Sequence, residues 1–408
     1  MKKTAADQNP FCDVEEAIRD ISHGRMVIVV DDVDRENEGD LTLAAEKVTP
    51  KAINFMARYG RGLICVPMTP PRLQQLEIPQ MVENNTSTHG TAFCISVEAR
   101  HGVTTGISAE DRSTTVQALM DPLTRPEDLV RPGHIFPLLA KPEGVLQRPG
   151  QTEAAVDLAR LAGLRPAGVI CEVMNPDGTM ARIPQLRQFA RRHRLKMIAI
   201  ADLIQYRMRH EKLIERIAQP KLPTTTGNWR LIAYRSRIEQ KIHMALVMGD
   251  PRAGTPCTVR LHSECMTGDV FGSIRCDCGK QLLKAMEIIS GHGSGILIYL
   301  RQEGRGIGLV NKLRAYEIQD RGKDTVEANH SLGFRADQRN YGIGAQILQD
   351  LGVDQIRVLS NNPKKFIALQ RFGIKITERI PLEIQPDQAT IPYLRAKKQK
   401  LGHLLSVV

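Results

Sequence analysis

Aromatic side chains are scarce in this chain: one Trp, seven Tyr and nine Phe make up 4% of its 408 residues. With no basic run beside them, they offer no stacking platform for single-stranded nucleic acid. Long apolar runs are also missing, so no segment reads as a membrane span. The opening Met1-Lys-Lys-Thr-Ala-Ala-Asp-Gln-Asn-Pro10 has basic residues but no apolar stretch behind them, unlike a secretory signal. No internal repeat is visible. What is abundant is positive charge, 56 Lys and Arg against 45 Asp and Glu, for a net +11. Lined up in a cleft, such a surplus concentrates small phosphorylated substrates. Eight cysteines, three of them clustered, fit a reducing compartment, and a cytoplasmic location is expected.

The length predicts two domains, or three small ones, each with its own core. Apolar runs at Met26–Val30, Gly168–Cys171 and Met197–Ile200 read as buried strands. Leu203–Ala218 has helical period and ends before Pro220, which places a boundary near 210–220. We therefore expect domains at 1–210 and 211–408. Trp229–Tyr234 and His243–Val247 read as strands of the second. Strands and helices alternate throughout, which predicts a mixed α/β fold with α+β sheets in both domains. The tail Ala396-Lys-Lys-Gln-Lys400 reads as a solvated helix face.

Cys265, Cys276 and Cys278 stand in Arg260-Leu-His-Ser-Glu-Cys265…Arg275-Cys-Asp-Cys278-Gly. Three thiolates hold Zn²⁺ and leave a fourth position open to water, as in a catalytic site. The alternative is a closed structural site completed by Cys257 or His262. A zinc-containing nucleic-acid-binding protein is the rival that this cluster and the net charge together suggest, against the shortage of aromatics. Gln281 begins a helical pattern through Leu282, Met286 and Ile289, so the cysteines belong to the loop that feeds it.

Several loops have the makings of anion sites. The strand Gly295–Leu300 runs into Arg301-Gln-Glu-Gly-Arg-Gly-Ile-Gly308, where glycine permits close backbone approach and arginine pairs with phosphate. Gln355–Leu359 precedes Ser360-Asn-Asn-Pro-Lys-Lys365, with Asn362 as helix cap, Pro363 in the first turn and Gly373 as the stop. That helix start is a phosphate receptor or a capped surface helix with solvated lysines. Asp337 and Arg339 are either functional or a surface ion pair. In the first half, Asp31-Asp-Val-Asp-Arg-Glu-Asn-Glu-Gly-Asp40 concentrates carboxylates that suit Mg²⁺ or form a solvated acidic loop. Arg148-Pro-Gly-Gln-Thr152 precedes a helix over 153–162, with Thr152 as its cap and Gly163 as its end.

Residues 215–405 resemble GTP cyclohydrolase II. The resemblance is carried by the cysteine motifs, Arg-Gln-Glu-Gly-Arg-Gly-Ile-Gly-Leu, Asp324-Thr-Val-Glu-Ala-Asn-His330 and Asn-Asn-Pro-Lys-Lys. It implies catalytic zinc on Cys265, Cys276 and Cys278, and GTP contacts from Arg260, Leu261, His262, Ser263, Glu264, Gln281, Glu303, Gly304, Arg305, Thr325, Ser360 and Lys365. Asp337 would accept a proton and Arg339 would attack the α-phosphate. Ser360 stands where the family has threonine, and keeps the hydroxyl.

Residues 12–207 resemble 3,4-dihydroxy-2-butanone 4-phosphate synthase. Here the matching stretches include Asp-Arg-Glu-Asn-Glu-Gly-Asp, Gly62-Leu-Ile-Cys65, Pro132-Gly-His134-Ile-Phe-Pro, Thr-Glu-Ala-Ala-Val-Asp-Leu and Cys171-Glu-Val-Met-Asn. The resemblance implies a ribulose 5-phosphate site on Arg35, Asp40, Arg148 and Thr152, metal (Mg²⁺ or Mn²⁺) on Glu36, essential His134 and Glu172, and Cys65 in the same set. Fusion in this order is similar to the bifunctional riboflavin-biosynthesis enzymes, and both families imply a homodimer. Gln151 stands where the family's second metal ligand is histidine, Leu139 replaces arginine and Glu143 replaces glycine. A neutral amide oxygen binds Mg²⁺ more weakly and is no base. We therefore expect impaired synthase chemistry, with a non-catalytic stabilising module as the alternative for this half.

Overall fold

A computed structural model describes residues 9–33, 35–239, 241–253, 256–334, 337, 339, 341–388 and 390–406. The chain divides into two compact units, Met1–His210 and Glu211–Val408. Of the motifs above, Asp34 in the acidic loop and Arg335, Ala336, Gln338 and Asn340 around the Asp337/Arg339 pair lie outside the described residues.

The first unit is built on seven strands: β1 (Val27–Val30), β2 (Gly39–Ala44), β3 (Cys65–Met68), β4 (Val97–Ala99), β5 (Leu129–Leu139), β6 (Gly168–Glu172) and β7 (Lys196–Ala199). They form one mixed sheet in the order β4-β5-β3-β6-β2-β1-β7. Residue alternation splits each strand between two cores. Val27 and Val29 pack with Ala154, Leu158 and Leu203 on one face, while Ile28 and Val30 join Ile53, Val116 and Leu186 on the other. Helices cover both faces, the arrangement that an apolar sheet needs. Antiparallel β2 and β6 set Asp40 opposite Glu172, across 132 residues of chain (172 − 40).

The second unit has β8 (Ile214–Ala218), β9 (Lys221–Thr224), β10 (Gly227–Ser236), β11 (Ile242–Met248), β12 (Cys257–Ser263), β13 (Gly295–Leu300), β14 (Gln355–Leu359) and β15 (Lys375–Ile380). Their order is β15-β14-β12-β13-β11-β10-β8, with β9 also on β10. The segment β15-β14-β12-β13 is parallel. Its loops therefore emerge at one edge, where α/β sheets place their ligands.

Four local expectations are corrected. The helix expected from Gln281 begins at Cys278, so the third cysteine is the first residue of the helix and not part of the loop before it. The helix expected over 203–218 is Ile200–His210 only, and Ile214–Ala218 is strand. Its backbone pairs with β10 from Ile214↔Ser236 to Ala218↔Ala233, and a sheet edge outweighs a helical period this short. The helix expected from Glu153 begins at Gln151, with Gly150 as N-cap and no side-chain cap bond, so Thr152 is inside the helix and buried. Ala396–Lys400 is not a uniformly solvated face, because Ala396 and Lys397 are buried. The Asn362 cap is present: its side chain accepts from the Lys364 N–H, and Pro363 begins the helix Pro363–Arg371.

Candidate active sites

At the carboxyl edge of β12 the chain runs directly from Ser263 into Cys265. The Sγ atoms of Cys265, Cys276 and Cys278 lie within 4.8 Å of one another, and Cys265 to Cys276 is 3.6 Å. Gly268 makes this approach possible, since a Cβ there would lie 2.9 Å from Cys276 Sγ. Asp269 fixes the loop by accepting from the Cys265 N–H (2.9 Å) and the Tyr299 hydroxyl (2.8 Å). Its carboxylate also meets His262 Nε2 at 3.1 Å.

Among the described residues neither Cys257 nor His262 joins the sulfur group, which leaves three ligands. Soft sulfur donors with an open fourth position fit Zn²⁺ in its catalytic form. Bonds from the neighbouring thiols and then Lys312 hold Cys265 far below the usual thiol range. Cys276, bonded to Cys265, is pushed up to about 11. One sulfur thus carries charge most readily even before a cation is considered.

Around this cluster a single cleft is lined by Arg260, His262, Ser263, Glu264, Gln281, Glu303, Gly304, Arg305, Thr325, Arg339, Ser360 and Lys365. Leu261 is buried in β12 and is outside that lining; its carbonyl accepts from Lys365 Nζ at 2.7 Å. Lys365 is thus no solvated lysine, and burial pushes its ammonium well below the usual lysine range. Arg305 adopts φ +63°, rare for a side-chain-bearing residue, and both its terminal nitrogens are buried without a hydrogen-bond partner among the described residues. An unpaired guanidinium of this kind is prepared for an anion. Ser360 Oγ accepts from the Asn362 N–H at 3.1 Å, and Arg260 NH2 donates to Gln281 Oε1 at 2.8 Å.

Asp337 and Arg339 form a two-pronged pair, Nε to Oδ1 at 2.8 Å and NH2 to Oδ2 at 2.6 Å. The pair is largely buried, not the solvated surface pair weighed above. Burial would raise the Asp337 carboxyl, but the Arg339 bonds and charge outweigh it and hold it low. Arg339 is shifted up: burial acts against this, and Tyr341 and Asp337 overcome it. Such a guanidinium does not lose its proton, so the geometry suits Arg339 to holding negative charge better than to attacking phosphorus.

In the first unit Asp31 organises the acidic loop, accepting from Arg35 NH1 (2.7 Å) and the N–H groups of Glu36 (3.1 Å) and Glu38 (2.9 Å). Asp31 and Asp40 are both buried, unlike a solvated loop. Burial first, then Glu172 and the loop carboxylates, raise Asp40 well above the usual range, and burial raises Glu172. Burial also pushes up Cys65. Arg148 pairs with Glu153 at 2.7 Å and Arg35 with Glu36 at 2.7 Å. Both guanidiniums converge on Gly150, where a Cβ would lie 2.5 Å from Arg148 NH1 and 3.1 Å from Arg35 NH2. Gln151 Nε2 bonds to the Glu38 carbonyl at 3.3 Å, and its buried Oε1 has no partner among the described residues. His134 Nδ1 lies 3.1 Å from Glu98 Oε1.

Family models match residues 15–206 as 3,4-dihydroxy-2-butanone 4-phosphate synthase and 215–381 as GTP cyclohydrolase II. The riboflavin biosynthesis protein RibBA of Aquifex aeolicus (strain VF5) is 57% identical over 397 residues, covering 97% of this chain and 98% of that one. This chain belongs to the RibBA family. The RibBA of Bacillus subtilis (strain 168) is 55% identical over 396 residues, covering 97% of this chain and 99% of the other. A solved two-domain 3,4-dihydroxy-2-butanone 4-phosphate synthase from A. baumannii, RibBX, matches with TM-score 0.72 and 41% identity, over 90% of this chain and 99% of that one.

As a RibBA chain it carries a hydrolase domain of the cyclohydrolase II type and a synthase domain. No helix among the described residues is long and apolar enough to cross a membrane. The three departures differ in kind. Glu143 has φ −91°, so its backbone does not demand glycine, and Leu139 packs partly buried against the core. Gln151 alone places a changed donor atom beside the acidic loop. The RibBA cleft also contains Lys312, Tyr316, Tyr393, Lys397 and His403, which motif reading missed. Tyr393, Lys397 and Leu401 recur every four residues, a helical stripe that would have pointed to a shared face.

Proposed function

We propose that the second unit hydrolyses GTP to 2,5-diamino-6-(5-phospho-ribosylamino)pyrimidin-4-one, formate and pyrophosphate. The observation that carries this reading is a group of three cysteine sulfurs in the same cleft as the Arg305 guanidinium, whose terminal nitrogens have no hydrogen-bond partner among the described residues. Cys265, Cys276 and Cys278 would hold zinc, which would supply Lewis-acid activation of water for opening the imidazole ring. Arg305, Lys365, the Ser360 hydroxyl and the helix start after Asn362 receive phosphate oxygens. Arg260 and Gln281, bonded to each other, present an ordered pair of polar groups to the nucleotide. Asp337, with both carboxylate oxygens engaged by Arg339, holds that guanidinium in register over developing phosphate charge. Glu264, Glu303 and Thr325 complete the polar lining. Formate and pyrophosphate release from GTP by the zinc-loaded chain tests this; no release from fully loaded protein rejects it.

For the first unit we propose a ribulose 5-phosphate site with weakened synthase chemistry. Arg35 and Arg148 converge on Gly150, where no side chain would fit between them, and seat the phosphate beside Thr152. Asp40 and Glu172, paired across β2 and β6 and both shifted up by burial, are placed to exchange a proton with an enolising sugar. The donor set of Glu36 and the unpartnered Gln151 oxygen fits Mg²⁺ or Mn²⁺, which would polarise the sugar carbonyl. The amide donor favours low activity in this half. We also propose a homodimer, as both families imply; light scattering that finds only monomer at micromolar concentration overturns it.

A further inference from the structure

The cyclohydrolase family model ends at residue 381, yet the cleft receives side chains from beyond it, among them Tyr393, Lys397 and His403. They belong to the helix Ile391–Leu401 and the strand-free tail that follows Gly402, which turns the chain at φ +67°. This segment is tied down at points adjoining the nucleotide loops. Lys400 pairs with Asp324, next to Thr325, and with Glu327 at 2.9 Å. The Leu404 N–H donates to the carbonyl of Asn361, next to Ser360, at 2.9 Å. Lys397 Nζ donates to Asp277 Oδ1, between two of the sulfur ligands, at 2.7 Å.

The last contact does not end at Asp277. Asp277 Oδ2 accepts from Gln281 Nε2 at 2.6 Å, Gln281 Oε1 accepts from Arg260 NH2 at 2.8 Å, and Arg260 NH1 donates to the Leu359 carbonyl at 2.9 Å. Each member orients the next, because a side-chain amide has one donor end and one acceptor end. Lys397 is 8% exposed and Asp277 5%, so neither charge is rescued by water if the other is lost.

We propose that this C-terminal helix is a wall of the nucleotide site and that Lys397 is a positioning residue for substrate recognition, setting Gln281 and Arg260 through Asp277. The inference rests on the GTP reading above. Without the ammonium, Asp277 turns toward Arg260 and Gln281 loses its fixed rotamer, so nucleotide binding weakens while the bond-breaking groups stay in place.

The test uses the full, zinc-loaded chain, with formate release followed over a range of GTP concentrations for wild type, Lys397→Met and Lys397→Arg. We expect Lys397→Met to raise KM by about tenfold or more with kcat within about threefold, the pattern of lost uniform binding. Lys397→Arg should recover most of that KM, and zinc content should equal the wild type's in both. Unchanged KM in Lys397→Met, loss of zinc, or equal damage in the arginine variant overturns the proposal. If Lys397→Met does not fold, Lys397→Met with Asp277→Asn removes the stranded charge; a wild-type KM in that pair also overturns it. Wild-type turnover of GTP reads the parent proposal separately: its absence rejects the GTP reading, whereas the ratio between variants judges Lys397.

Discussion

The Lys312 ammonium lies 3.2 Å from Cys265 Sγ and 2.8 Å from Glu303 Oε1, buried beside the sulfur cluster. Three thiolates outweigh one Zn²⁺ by a single negative charge, which is costly to bury without a counter-ion. Glu303 in turn accepts from the Met266 N–H at 2.6 Å, so the lysine also links the loop after Cys265 to the glycine-rich turn. Burial would lower the lysine pKa, but Cys265 and Glu303 overcome this and raise it. Lys312→Met should therefore weaken zinc binding by about tenfold, within the range of outer-shell changes at metal sites. Competition with a chromophoric chelator measures this; equal affinity would show that the contact is incidental.

In Cys276→Ser one of three sulfur ligands is replaced by a hydroxyl that holds zinc poorly. Zinc content and formate production should fall together. Retained GTP turnover in metal-free Cys276→Ser protein would exclude zinc from the reaction.

For the first unit, the buried Gln151 oxygen predicts weak Mg²⁺ binding and little dihydroxybutanone phosphate from ribulose 5-phosphate. Gln151→His should raise metal affinity and activity by about ten- to a hundredfold. Adding Leu139→Arg and Glu143→Gly should raise activity further, while GTP turnover stays unchanged. A wild-type chain that already makes the product as fast as it consumes GTP would contradict the assignment of Gln151.

His403 lends the cleft a pH dependence. Burial, then the cations Lys397, Arg339, Lys365 and Arg305, push its pKa down to about 3. A histidine lowered in the folded state gives stability that is complete above its unfolded value near 6.5 and is lost as pH falls below it. Between pH 7 and pH 5 this group should remove about 1–2 kcal/mol. Urea unfolding of wild type and His403→Gln at both pH values isolates the term, since the variant should show a smaller drop. Identical pH responses would show that the fold does not keep His403 neutral.

Much of the local structure was legible. Val27–Val30 and Gly295–Leu300 are apolar runs closed by turn formers, and Gln355–Leu359 alternates polar and apolar residues at strand period. Asn362-Pro363 marks a helix start because a cap and a restricted φ act within four residues. Ile214–Ala218 was illegible for the opposite reason: only Ile214 is buried, and the strand exists because β10 offers it an edge. The helix start was misplaced by two residues because Gly150 caps without any side-chain bond.

The sequence by itself determined the chemistry available: three thiols at metal spacing, glycine and arginine at strand ends, and an amide at position 151. These depend on residue identity and on contacts a few positions long. Tertiary structure alone decided which groups share a cleft. It set Asp40 against Glu172 through the β2–β6 register, and it turned Lys397 from an apparently solvated lysine into a buried partner of Asp277. Among the described residues it also left Cys257 and His262 outside the group of three sulfurs. Such pairings span a hundred residues or more of chain, or hinge on which way a strand faces, and no short-range pattern encodes either.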